Sequence, residues 1–310
     1  MDKDFKEILK KVRRIDIRTR RLANDALAGR FHSVFRGRGM DFDEVREYTP
    51  GDEVRTIDWN VTARAGRPFV KKYREERELT VLLAVDVSGS GDFGSVSRTK
   101  REIEAEVACV LALSAVRNND RVGLLLFSDH IEGFVPPRKG RSHVLRLVHE
   151  VLSCKPEHRG TNVAEALDYL NAITKRRSMV FLLSDFQSSG NLNTAIATLR
   201  RSLALLRRKH DVVALHIDDP RERSLPDIGL VTLEDAENDD VIEIDTGSLR
   251  VRQAFAKRAA ERRAAVDRAF RAESIDSVAI ETGKPYLPAL VALFETRHLA
   301  RRGAVQGALR

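Results

Sequence analysis

Residues 81–90 read VLLAVDVSGS. Asp86, Ser88 and Ser90 place three oxygen donors, two residues apart, at the end of an apolar run. Donors of that kind, with no histidine or cysteine among them, suit a hard cation such as Mg²⁺ or Mn²⁺ rather than zinc. Serines after a strand also cap helices, so the triplet alone is a weak pattern. Two later segments strengthen it. Thr161 follows Gly160 in HRGTNVAEAL, where a helical pattern begins, and Asp185 closes the apolar run of SMVFLLSD. The hydroxyls of Ser88, Ser90 and Thr161 are the expected direct ligands, with Asp86 and Asp185 holding waters or orienting those hydroxyls. Few direct charges would leave the ion electrophilic and ready to exchange a water for a carboxylate from another protein. No general base lies in these segments, so nothing in them prepares a nucleophile. The expected chemistry is adhesion.

Other chemistries find no support. There is no G-x-x-x-x-G-K-[ST] for a phosphate loop, and the positions around Ser88 do not make the G-x-S-x-G of a nucleophile elbow. A D-x-D phosphotransferase aspartate would need an acid at position 88. The eight histidines form no H-E-x-x-H. His149, Cys154 and His158 lie close in sequence, but no second Cys/His pair completes a zinc set, so the histidines are expected to be structural or on the surface.

A set of donors at strand ends needs a sheet to hold it. From about residue 79, apolar runs of strand length alternate with longer amphipathic segments: LTVLLAVD, RVGLLLFSD, SMVFLLSD, DVVALHID and SVAIET against helices near 97–119, 142–151, 162–175, 191–209 and 248–272. That alternation predicts an α/β fold, a doubly wound, mostly parallel sheet of Rossmann-like type, in which ligands bind beyond the carboxyl ends of the strands. IEGFVPP pairs with the preceding strand, VTLEDAENDDVIEID reads as a hairpin, and KPYLPALVALFETR as a closing helix. The expected organisation is a basic N-terminal helix (1–30), a small β-rich subdomain (31–78), the α/β domain (79–297) and a basic tail (298–310). Within the subdomain Tyr48–Asp52 is turn chemistry, Asp52 with Arg55 is expected to open a short helix, and Trp59 is expected to be a packing anchor. Ion pairs are expected among Arg46, Arg55, Arg64, Asp43, Glu44 and Asp58.

The chain has 310 residues and a formal charge of +8, of which residues 1–40 hold 12 Lys/Arg against 5 Asp/Glu. A basic arm can bind nucleic acid, but few aromatic residues accompany it, so nucleic acid is the weaker expectation. No run approaches the roughly 18 apolar residues of a membrane span, and no secretory signal opens the chain. With two cysteines, Cys109 and Cys154, both expected buried and reduced, the chain reads as cytoplasmic.

DVSGS with Thr161 and Asp185 resembles the metal-ion-dependent adhesion site of von Willebrand factor A domains, with all five positions filled. The block GRGMDFDEVREYTPGDEVRTIDWNVTARAGRPFVKKYREERE (37–78), leading into the first of those strands, is similar to a prokaryotic family of uncharacterised function. Members of that family carry a von Willebrand A-like domain and are typically encoded beside MoxR-type AAA+ ATPases. The resemblance spans roughly residues 30–295. It implies a non-enzymatic, Mg²⁺- or Mn²⁺-dependent adaptor that works with such an ATPase on a client protein offering an Asp or Glu carboxylate. Many relatives have membrane helices before the block; this chain resembles the soluble subtype. A metal-dependent phosphoesterase using the same carboxylates is the alternative.

Overall fold

The computed structural model describes residues 2–22, 41–74, 78–187, 190–234 and 241–307. They fall into two compact units, one of residues 1–34 with 80–310 and one of residues 35–79.

The larger unit is built on a six-stranded sheet. Its strands are β3 (Thr80–Asp86), β4 (Arg121–Phe127), β5 (Ile131–Arg138), β6 (Met179–Ser184), β7 (Asp211–Asp218) and β10 (Asp276–Glu281), in the order β10-β7-β6-β3-β4-β5. All pairings are parallel except β4 with β5. The centre of β3 and all of β6 are buried, as unbroken apolar runs of strand length require when helices cover both faces. The chain steps from β3 outward to β4 and β5, then crosses back to β6 on the other side of β3. That reversal lies between β3 and β6, and it opens a crevice beyond their carboxyl ends. Asp86 and Asp185 stand there.

Helices cover the sheet: α3 (Lys100–Arg117), α4 (Arg141–Ser153), α5 (Val163–Ile173), α6 (Leu192–Lys209), the short α7 (Pro220–Arg223), α8 (Leu249–Ala272) and α9 (Leu287–Gly307). One core layer joins Leu82, Leu125, Phe127 and Leu182 of the strands to Leu167 and Leu170 of α5, Leu203 of α6 and Phe270 of α8. The expected hairpin is β8 (Leu230–Glu234) with β9 (Val241–Asp245), antiparallel and separate from the main sheet. Residues 298–307, expected as a tail, continue α9.

The N-terminal helix α1 (Asp2–Leu22) belongs to this unit and is docked rather than free. Val12, Ile15, Asp16 and Thr19 are buried. Asp16 receives Arg141 of α4 at 2.5 Å, and the Thr19 hydroxyl lies 3.4 Å from Cys109 Sγ on α3. The remainder of the expected helix 4–28 lies outside the described residues.

In the smaller unit β1 (Asp41–Glu47) pairs antiparallel with β2 (Phe69–Arg74), and α2 (Trp59–Ala65) lies between them. The cap of α2 is Asp58, which accepts from the amides of Asn60 and Val61, and Gly66 ends it in the left-handed conformation (φ 70°). Asp52 instead takes the Arg46 guanidinium at 2.6 and 2.8 Å together with the Thr49 amide and hydroxyl. This corrects the expected helix-opening role of Asp52: its oxygens are turned back to Arg46 and Thr49, and Glu53, with no side-chain cap bond, precedes the 3₁₀ turn Val54–Thr56. Trp59 is 67% exposed, so it is not the expected packing anchor. It is the first residue of a short helix with no buried residues. Asp43 and Glu44 have side chains outside the described residues.

Candidate metal centre

β3 ends where its hydrogen bonds turn inward. The Asp86 carboxylate accepts the Ser88 amide (3.0 Å) on one oxygen and the Ser184 hydroxyl (2.6 Å) on the other. Those bonds fix the carboxylate between β3 and β6 and curl the chain into a 3₁₀ turn over Gly89–Asp92. The curl brings Ser88 Oγ within 3.1 Å of Ser90 Oγ. Arg101 of α3 reaches under the loop and donates to the carbonyls of Val87 (2.9 Å), Ser88 (3.1 Å) and Cys154 (2.8 Å).

Asp185 follows β6 directly. Its next residue, Phe186, sits at φ +54°, a left-handed conformation unusual for a bulky side chain and held by the Ser184 hydroxyl on its amide. One Asp185 oxygen accepts the Gln187 amide at 2.9 Å, and the nearby Ser90 hydroxyl also favours the ionised carboxylate. Thr161 is buried in the segment before α5. Arg159 pins that segment to the serine loop by accepting the Gly89 amide at 2.9 Å, and Ser128 accepts the Asn162 amide at 2.9 Å. Hydrogen bonds thus link Asp86, Ser88 and Ser90, Asp185 stands close enough to Asp86 to raise its carboxyl, and Thr161 is carried by the loop tied to Gly89.

Four charged groups at this crevice escaped the sequence reading. Lys100 is 1% exposed, and its ammonium lies 2.5 Å from Asp185 Oδ2 and 2.5 Å from Glu222 Oε1 of α7. Glu104, one turn along α3, is buried with Oε2 lacking a hydrogen-bond partner among the described residues. Arg101 is the fourth. Lys100 and Arg101 occupy the first turn of α3 after its cap, Thr99. The helix macrodipole disfavours cations there, so their position was a legible hint of carboxylates opposite.

The electrostatics follow from burial. Desolvation, then the charge of Asp185, pushes the Asp86 carboxyl up to about 7. Burial works the same way and most strongly on Asp185, but Lys100, the Gln187 amide and Ser90 together hold that carboxyl below the usual range. Glu104, desolvated and facing both aspartates, is pushed well above the ordinary value for a glutamate. Burial acts to lower Lys100, and its two carboxylate partners carry it above the ordinary lysine value instead. Two aspartates, two serines and a threonine, with no nitrogen or sulfur among them, fit a hard dication, and an Asp86 so short of positive charge fits one too. Lys100 is the departure from that picture, because it already neutralises Asp185. A cavity of about 490 Å³ bounded by Asp129, Thr161, Asn162, Phe186 and Asn191 opens beside the set.

The family described as "Protein of unknown function DUF58" matches residues 44–265. The chain is 32% identical over 309 residues to Rv1480, an uncharacterized protein of Mycobacterium tuberculosis, with 99% of this chain and 94% of that protein covered. The uncharacterized protein Mb1516 of Mycobacterium bovis matches to the same extent. Among solved structures, a conserved hypothetical protein, BatB from Bacteroides thetaiotaomicron, aligns with TM-score 0.44 and 16% identity over 71% of this chain and 98% of that one. The SpRpn10 VWA domain aligns with TM-score 0.38 and 14% identity over 69% and 94%.

Proposed function

The chain belongs to the DUF58 family of unknown function, and from that premise we propose that it is a non-enzymatic, metal-dependent protein-binding adaptor. Ser88, Ser90 and Thr161 would hold Mg²⁺ or Mn²⁺ directly, with Asp86 and Asp185 supporting. The observation that carries this reading is the convergence of Asp86, Ser88, Ser90 and Asp185 at the sheet's topological switch point, where hydrogen bonds fix Asp86 and join the two serines. The bound ion would supply an electrophilic position for a carboxylate from another protein. Ser184 and the Ser88 amide hold Asp86 facing the serines, Arg101 fixes the loop carbonyls, and Lys100 keeps Asp185 ionised.

The enzymatic alternative needs a group to activate water. His216 of β7, beside Asp185 in the crevice, is held neutral by burial and then by Arg263, with its pKa lowered to about 3. An imidazole that weak takes no proton from water near neutrality. His216 is therefore not the base such a reaction would use.

The resemblance of the 37–78 block extends the proposal to a partner, a MoxR-type AAA+ ATPase, and to a client protein that presents an Asp or Glu. Calorimetric titration tests the metal: one divalent site is expected in the native chain and a strong loss in Ser88→Ala. Unchanged binding in that variant refutes the site. Measured affinity for the purified ATPase, with Mg²⁺ and with chelator, tests the partner. Turnover of phosphate esters that disappears in Asp86→Ala would establish the enzyme instead.

A further inference from the structure

Outside the oxygen-lined set, Asp129, His130 and His158 come together from two loops. Asp129 and His130 lie in the turn between β4 and β5, and His158 lies between α4 and α5. One ligand atom from each lies within 4.8 Å of the other two. His130 Nδ1 is 3.1 Å from Asp129 Oδ1, and the two imidazoles face each other with centroids 4.2 Å apart and planes 28° apart.

The frame around them is built from other groups. The Glu132 carboxylate accepts the Ser128 hydroxyl (2.5 Å) and the amides of Glu157 (3.1 Å) and His158 (3.4 Å), stitching one loop to the other. The Ser128 hydroxyl also lies 3.3 Å from Asp129 Oδ1, and Ser128 is itself fully buried. Gly160 lies against Asp129, close enough that a Cβ there would be in ordinary contact with it at 3.4–3.5 Å. These bonds position His158 through its backbone and leave its ring outside the frame. Both histidines are exposed, so further coordination positions would face solvent.

The geometry points to a second metal site, Asp129–His130–His158, for a borderline transition-metal dication such as Zn²⁺. Two imidazole nitrogens and one carboxylate oxygen are a donor set such ions favour and Mg²⁺ does not. Nitrogens sharing one tetrahedral zinc at about 2.0–2.1 Å sit roughly 3.4 Å apart, and His130 Nδ1 already lies 3.1 Å from Asp129 Oδ1. The inference does not rest on the oxygen site, yet the two share a loop: His158 and Thr161 flank Arg159, which is bonded to Gly89. Zn²⁺ at one site would steady the segment that presents Thr161 at the other.

The test is a Co²⁺ titration of the full chain in excess Mg²⁺, read by visible absorption, with Zn²⁺ added to compete. One equivalent of Co²⁺, displaced by Zn²⁺, is expected in the native chain and in Ser88→Ala. His158→Ala and His130→Ala should each weaken binding by at least about tenfold, the low end of what losing even a supporting partner of a metal ligand costs. Because both rings are exposed, the variants should keep the native circular dichroism spectrum. Co²⁺ binding that survives His158→Ala, or that is lost only in Ser88→Ala, overturns the assignment and leaves His130 as a partner of Asp129 alone.

Discussion

Replacing Lys100 with methionine keeps the length of the side chain and removes its charge. In the native protein that charge is almost wholly buried and lies 2.5 Å from each of two carboxylates, Asp185 and Glu222. Removing one partner of a buried ion pair costs about 3–5 kcal/mol, because the remaining charge stays desolvated. Here two carboxylates are stranded and Asp86 stands beside one of them, so the upper half of that range is expected near pH 7. For a unit of this size, 1 kcal/mol moves the midpoint by about 2–4 °C, so about 4 kcal/mol becomes a fall of roughly 8–16 °C. Divalent cation should reverse much of it, since a ligand at 100 times its Kd stabilises by about 2.7 kcal/mol. The gain from Mg²⁺ should be larger in the variant, where no ammonium competes for Asp185. Urea unfolding of both proteins, with Mg²⁺ and with chelator, measures all four quantities. A loss below about 1 kcal/mol, or equal Mg²⁺ gains in the two proteins, would refute the view that Lys100 holds the charge balance of the crevice.

Glu104→Gln should cost under about 1 kcal/mol in chelator by the same unfolding assay, since burial and the two aspartates push this carboxyl toward its neutral form, which an amide of the same shape replaces. Burial, then Lys209 and Arg177, lowers His210 from its ordinary value to about 4. The unfolded chain therefore binds this proton first, so the contribution, at most about 3 kcal/mol, is present above pH 6.5 and lost as pH falls toward 4. His210→Asn, which keeps an acceptor for the Ser178 amide, should flatten the stability profile in that window. Cys154 should react with a thiol reagent in the native protein before Cys109: Cys154 is only half-buried, whereas Cys109 is enclosed and burial pushes its thiol up to about 12. Labelling of Cys109 should await unfolding.

Much of the large unit was legible because its signals are local. An unbroken apolar run ending in an acid, as in VLLAVD and MVFLLSD, marks a buried parallel strand by length and by boundary. The neighbouring of β3 and β6, and with it the meeting of Asp86 and Asp185, follows from the alternation of strands and helices. What escaped depends on partners distant in sequence. Lys100 needs Glu222, 122 residues on, to make sense of a buried ammonium. The burial of Asp16 and Thr19 needs α3 and α4, so α1 read as a basic arm although its inner face is packed. Cys154 was expected to be buried from its apolar neighbours, but it follows the last turn of α4, where the chain leaves the core. Trp59 was assigned by the habit of its residue type rather than by a pattern, and a seven-residue helix has no second layer to cover it.

The larger unit is discontinuous in the chain, since α1 lies on one side of residues 35–79 and every strand of the main sheet lies on the other. In the wiring of the fold the smaller unit is an insertion, leashed at both ends. Loop-closure entropy grows only as (3/2)RT ln n, so replacing a 45-residue insertion with a ten-residue glycine–serine bridge changes the closure term by about 1–2 kcal/mol. The closure term by itself is therefore a small obstacle to excising the smaller unit. The larger could be produced with α1 still in place, but a protein begun at β3 would lose one wall of its core, with Arg141 and Cys109 left uncovered.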